Sequence, residues 1–222
     1  LIAAEVLGIT PENINIYLMD TALTPDGGPT TASRQTYVTG NAVKNAANEL
    51  KKRIESLLIG KFECEPCQVL FSSEAVTAGD EQISWQEVYD MLEKTPEGTS
   101  VELRYTAPQT HSLELGGKIH VAYGFGAQAV KVALFPESGG VKVLQVIAAS
   151  DAGRIINPLG FQSQVEGGVV MGVGHGIMEE FKVENGIILS DRIARYEIPR
   201  MKDSPLVESL IVEDPTSEGP YG

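Results

Sequence analysis

Asn41-Ala42-Val43-Lys44-Asn45-Ala46-Ala47-Asn48-Glu49-Leu50-Lys51-Lys52-Arg53-Ile54-Glu55-Ser56-Leu57-Leu58-Ile59-Gly60 is the stretch on which the fold turns. Its apolar members Val43, Ala46, Ala47, Leu50, Ile54, Leu57 and Leu58 recur every three or four residues, which lines one face of a helix. Gly60 stands where a left-handed C-cap belongs. Upstream, Ser33 and Thr39 each offer a capping hydroxyl; a start near Ser33 keeps the small residues Thr36 and Gly40 on the packed face and is the expected one. Directly before it runs Gly27-Gly28-Pro29-Thr30-Thr31-Ala32-Ser33. Glycines and hydroxyls at a helix mouth leave backbone N–H groups at the positive end of the helix dipole, where an anion can bind without a lysine. An ordinary loop with an N-cap accounts for the same residues.

Toward the N-terminus, Ala3 to Gly8 reads as the end of a short helix, and Ile14, Ile16 and Leu18 alternate with polar residues like a half-buried strand over Pro11 to Asp20. Beyond the long helix, Gln68–Phe71 and Ser73–Ala78 suggest a short strand pair. Ser84, with Glu87 three residues on, opens a helix carrying Val88, Met91 and Leu92. Thr106 to Lys118, polar and rich in Pro and Gly, reads as a connection. Three strand-like runs follow, Ile119–Tyr123, Ala129–Phe135 and Val141–Ala149, the last two joined by a hairpin-like Ser138-Gly139-Gly140. A final helix is expected over about Gln162 to Glu179, with Val165, Val169, Val173 and Ile177 on one face. Gly167, Gly168, Gly172, Gly174 and Gly176 lie within it. Each interior glycine costs roughly 1 kcal/mol against alanine, so another helix or a ligand is expected to approach that backbone closely. The expected fold is α+β, helices packed on mixed or antiparallel sheets, in two comparable halves, residues 1–110 and 111–222.

A chain of 222 residues, 42% hydrophobic, can bury a substantial core. Its net charge of −13 argues against nucleic acid or an anionic membrane as partner. No run approaches the roughly 20 apolar residues that span a bilayer, and no signal peptide is legible, so a cytoplasmic protein is expected. The absent initial methionine suggests a piece of something longer.

Several chemistries drop out on spacing. Cys64 and Cys67 form a lone C-x-x-C without the second pair that zinc or iron–sulfur sites use. No Gly-Lys-Ser or Gly-Lys-Thr marks a phosphate loop. Gly124-Phe125-Gly126-Ala127-Gln128-Ala129 imitates a dinucleotide fingerprint, but a strand-like run follows where a helix is required. His111, His120 and His175 share no metal-ligand spacing, and Ser33, His175 and Asp151 lack a nucleophile elbow.

Four stretches, in order, resemble the large molybdenum subunit of the xanthine dehydrogenase and aldehyde oxidase family: Gly27 to Thr36; Asp151-Ala152-Gly153-Arg154-Ile155-Ile156-Asn157-Pro158; Gln164-Val165-Glu166-Gly167-Gly168 through Glu180; and Gly219-Pro220-Tyr221-Gly222. The resemblance covers nearly the whole chain and places it in the second half of the molybdopterin-binding region of a bacterial member. It implies that Gly28, Thr30, Thr31, Ala32, Ser33 and Arg34 contact the pterin and its phosphate arm, and that Gln164 hydrogen-bonds the cofactor beside molybdenum. Asp151 to Pro158 becomes an architectural turn. The cofactor implied is a molybdopterin, in its cytosine dinucleotide form, with [2Fe-2S] clusters and FAD carried by other subunits or domains in a dimer of heteromers. The implied reaction hydroxylates a purine, another N-heterocycle or an aldehyde with water as oxygen source. No catalytic residue and no metal ligand is expected within this chain, because the family's catalytic glutamate follows the stretch matching Gly219–Gly222; the piece alone is expected to be inactive. A non-catalytic module that binds the cofactor or a subunit is the alternative.

Overall fold

The computed structural model describes every residue except Ala32, Ser112, Leu113, Leu115, Gly117 and Lys118. The chain forms two units: residues 1–121 with 217–222, and residues 122–216. The division thus falls after Val121 rather than at residue 110, and the last six residues belong with the first unit.

In the first unit α1 (Ile2–Leu7) ends at Gly8 in the left-handed conformation, and α2 (Arg34–Phe62) is the long helix that the apolar spacing requires. It runs past Gly60: Phe62 packs on the core and Glu63 takes the left-handed cap, so tertiary burial outweighs the local stop signal. Gly40 is buried, as expected, whereas Thr36 is exposed. A meander of β1 (Val69–Phe71), β2 (Ala75–Ala78) and β3 (Glu81–Ser84) leads into α3 (Trp85–Leu92). Ile54 and Leu58 of α2, Val76 of β2, Ile83 of β3 and Val88 and Leu92 of α3 close one core between helices and sheet.

α3 begins with a reciprocal cap. Ser84 Oγ accepts the Glu87 N–H at 3.3 Å, and Glu87 Oε2 accepts the Ser84 N–H at 2.9 Å. Ser84→Ala is expected to cost about 1 kcal/mol. Urea unfolding followed through Trp85, the chain's single tryptophan, checks this.

The expected strand over Pro11–Asp20 is absent. Pro11–Asn13 is a 3-10 turn, and the residues after it form no ladder. Ile16, Tyr17 and Leu18 stand in solvent. Alternation is a local property, but a strand needs a neighbour to take its N–H and C=O groups, and among the described residues none pairs here. Ile119–Tyr123 is likewise without strand structure.

The second unit is built on β4 (Phe125–Phe135) and β5 (Gly140–Asp151), an antiparallel hairpin with a register shift at Lys131/Val132. β8 (Leu206–Val212) joins β5 in parallel, so the sheet is mixed. α4 (Pro158–Ile177) crosses it, with Val165, Val169 and Val173 packed on Val146 and Ala148 of β5 and Val207 of β8. α4 starts four residues before the expected Gln162, because Asn157 Oδ1 accepts the Gly160 N–H at 3.0 Å and Pro158 occupies the first helical position. A two-residue Asn185-Gly186 turn, both at positive φ, links β6 (Val183–Glu184) and β7 (Ile187–Ile188), and a single turn, α5 (Ile193–Tyr196), follows. β4 is exposed along nearly its whole length, with Phe125 and Leu134 at 71% and 66%. The architecture is α+β, with helices on mixed and antiparallel sheets.

Candidate functional site

The glycine-hydroxyl turn is held from inside by Arg34. Its guanidinium donates to the carbonyls of Gly27 (2.9 Å) and Pro29 (3.0 Å). Gly28, at φ 72°, gives its N–H to Asp26 Oδ1, and an added Cβ there would stand 3.1 Å from Arg34 Nη1. Gln35 Nε2 donates to Thr30 Oγ1 at 3.0 Å, and the Arg34 N–H to Thr31 O at 3.1 Å. Ser33 occupies the N-cap position but does not cap with its hydroxyl: it sits at φ 56°, in left-handed backbone rather than the extended conformation of a capping residue. That conformation costs a non-glycine residue about 1–2 kcal/mol. Gly28, Thr30, Thr31 and Ser33 are exposed and Arg34 is half-buried; Ala32 lies outside the described residues. Helix geometry cannot satisfy the N–H groups of the first turn, so those after Arg34 point outward beside a guanidinium, a donor set suited to an anion, with the Asp26 carboxylate an opposing charge bonded into the turn.

In the second unit, Gln164 is exposed on α4, and among the described residues no group bonds its side-chain amide. Gln164, Gly168 and Gly172 follow at intervals of four, one stripe of the helix. Among the described residues, a Cβ at Gly167, Gly168, Gly172 or Gly176 would meet nothing within 4 Å. At Gly174 the expected close approach is made by the chain itself: a Cβ would stand 2.4 Å from Pro199 Cγ and 2.6 Å from Glu179 Oε1. Gly167, Gly168, Gly172 and Gly176 therefore leave backbone that no described side chain covers.

Asp151 organises the turn before α4, its Oδ1 accepting the N–H groups of Gly153 (2.9 Å) and Asp214 (3.3 Å). Glu213 Oε1 takes the Ile155 N–H at 2.8 Å. The turn is architectural. Cys64 and Cys67 are both free thiols.

A family model described as "Molybdopterin cofactor-binding domain" matches residues 1–205. The chain belongs to that family. Its relatives bear out the resemblance to the xanthine dehydrogenase and aldehyde oxidase group. The gamma subunit of the 6-hydroxypseudooxynicotine dehydrogenase complex of Paenarthrobacter nicotinovorans is 30% identical over all of this chain and 28% of its own length. The aldehyde oxidoreductase molybdenum-binding subunit of Escherichia coli (strain K12) is 30% identical over 96% of this chain and 27% of its own. The fold is that of CO dehydrogenase from Oligotropha carboxidovorans, with a TM-score of 0.83 at 21% identity over 100% of this chain and 27% of that one. This molybdopterin-binding chain thus spans a little over a quarter of the length of those relatives.

The residues present fit such a cofactor. A phosphate suits the outward amides that follow Arg34 and its guanidinium, and a polar ligand suits the amide of Gln164, which no described residue bonds, on a glycine-rich helix stripe.

The contacts of Tyr37 on α2 are not legible in the sequence. Tyr37, half-buried, donates to Glu218 Oε2 at 2.7 Å. Burial first, then that bond, holds its phenol above the ordinary tyrosine value, so it remains a donor wherever the protein is folded near neutrality. The two partners lie 181 residues apart in sequence, a separation no local signal reports.

Proposed function

We propose that the chain is part of the molybdenum-binding subunit of a molybdenum hydroxylase, and that the match of the cofactor-domain model over residues 1–205 carries this reading. In the parent protein, Gly28, Thr30, Thr31, Ala32, Ser33 and Arg34 of the first unit hold the pterin's phosphate arm, and Gln164 of the second unit bonds the cofactor beside the metal. Bound there, the molybdenum supplies two-electron oxidation of a carbon, with water as the oxygen source. This chain's residues bind and orient: Arg34 fixes the turn so that its amides are set before the ligand arrives, and the bare stripe of α4 lets the ligand lie on backbone. Pre-set donors lose little on binding, which is how such a turn gains affinity.

The substrates in this reading are purines, other N-heterocycles or aldehydes, the classes named by the relatives. The cofactor is the cytosine dinucleotide form, and [2Fe-2S] clusters and FAD in partner subunits or domains take the electrons. The assembly is a cytoplasmic dimer of heteromers, and the carboxylate that acts as base follows Gly222. Among the described residues no helix is long and apolar enough to cross a membrane.

The test is dye reduction by the full-length parent over a panel of purines, N-heterocycles and aldehydes, with metal analysis on the same sample. Substrate-dependent reduction by a molybdenum-containing protein is expected. Molybdenum without reduction of dye by any member would favour a non-catalytic module.

A further inference from the structure

The segment Glu218–Tyr221 is clasped by one stripe of α2. Tyr37 gives its hydroxyl proton to Glu218 Oε2 at 2.7 Å. Pro220, buried, lies against Gly40, where an added Cβ would stand 3.2 Å from Pro220 Cγ and 2.9 Å from Ile2 Cδ1. Lys44 Nζ donates to the Pro220 carbonyl and lies 4.2 Å from the centre of the Tyr221 ring, so one ammonium holds both a backbone acceptor and an aromatic face. The Tyr105 ring meets Tyr37 edge-on at 6.2 Å and fixes the phenol. Spacings of three and four put 37, 40 and 44 on a single face.

This is more than a short turn needs in order to close. Gly219 and Gly222 stand at φ 74° and 91°, conformations that leave the segment's direction to its contacts. Those contacts engage Glu218, Pro220 and Tyr221 through an acid, a carbonyl and a ring. The same helix begins, three residues before Tyr37, at Arg34, whose guanidinium holds the carbonyls of Gly27 and Pro29 that lead into the Thr30–Arg34 turn. A helix rises a fixed ~1.5 Å per residue, so α2 is a rigid spacer between the turn and the clasped segment.

We propose that Tyr37, Gly40 and Lys44 are positioning residues, which hold Glu218–Tyr221 at a fixed distance and angle from the turn at Thr30–Arg34. The proposal rests on the reading above, in which that turn holds the cofactor and the base follows Gly222. The helix then sets where the base stands, and the clasp acts on the chemical step rather than on cofactor or substrate binding.

The test uses the full-length parent with Tyr37→Phe, Lys44→Met and Lys44→Arg, read three ways: molybdenum content, steady-state kinetics, and amide hydrogen exchange in residues 218–222. Tyr37→Phe and Lys44→Met are expected to speed exchange in that segment and lower kcat by about 10- to 100-fold, with KM and molybdenum content unchanged. Lys44→Arg is expected to restore most of kcat. Exchange at the wild-type rate in both variants overturns the clasp itself, and faster exchange at unchanged kcat overturns its catalytic consequence. Molybdenum lost in step with kcat would make these residues cofactor ligands instead, and overturns the proposal too. A wild-type parent without molybdenum or dye reduction sinks the underlying reading on its own, whatever the exchange data show.

Discussion

Gly168→Leu and Gly172→Leu in the full-length parent are expected to cut molybdenum content by about tenfold or more, while leaving this chain as stable as before or slightly more so. The opposite signs are the point. Among the described residues both positions have open space where the new side chain begins, so its first carbon meets no clash. Replacing an interior helical glycine by leucine gains roughly 0.5–1 kcal/mol of propensity. A ligand lying on that backbone would meet four new carbons instead, and each ~1.4 kcal/mol of lost affinity is a factor of ten in occupancy at limiting cofactor. Gly174→Ala is the contrast within one helix. Its Cβ would stand 2.4 Å from Pro199 Cγ, so overpacking of about 1–3 kcal/mol is expected there. Metal content by elemental analysis and unfolding of the same variants separate the two effects. Unchanged molybdenum in both leucine variants would remove α4 from the site.

Leu58→Ala is expected to destabilise the first unit by about 2–5 kcal/mol. Leu58 is 0% exposed and packs where α2, α3 and the β1–β3 meander meet, so truncation leaves a cavity that rigid neighbours on three elements cannot fill. Against the usual total of about 5–15 kcal/mol, that moves the unfolding midpoint far enough to see without curve fitting. Trp85, whose Nε1 donates to Ser72 O at 2.9 Å on the same unit, reports the transition. Leu70→Ala is the control: at 62% exposure its change should stay within about 0.5 kcal/mol. Equal effects of the two substitutions would contradict the core assignment.

Much of this fold is written locally. The apolar spacing of α2, the Ser84–Glu87 box before α3, the Val165–Val169–Val173 face of α4 and the β4–β5 hairpin each need only a window of a dozen or so residues, and each is readable there. What is not readable depends on partners far along the chain. Ile14, Ile16 and Leu18 alternate like a strand yet have no neighbour to pair with among the described residues, while β8 is a strand because β5 is there to receive it in parallel. Gly60 carries the right residue for a helix stop, but Phe62 gains more by staying helical and reaching the core. Asn157-Pro158 and Asn185-Gly186 are local signals that apolar periodicity alone passes over.

The candidate site divides the same way. The turn at Thr30–Arg34 and the glycine stripe beside Gln164 are compositional oddities, visible as residues spent against helix propensity. The internal grip of Arg34 on Gly27 and Pro29, the left-handed Ser33 and the Tyr37–Glu218 bond are geometry, and appear only once the chain is folded. Of the six glycines of α4, Gly160 is met by Asn157 and Gly174 by Pro199, and among the described residues nothing covers the exposed stripe.

Elemental analysis of the purified full-length parent for molybdenum tests the central claim most directly. Molybdenum stoichiometric with the polypeptide in the wild type, and depleted in Gln164→Ala at unchanged thermal stability, is the expected result. A wild-type protein free of molybdenum after expression with an adequate molybdate supply, or a Gln164→Ala variant loaded like the wild type, would contradict it.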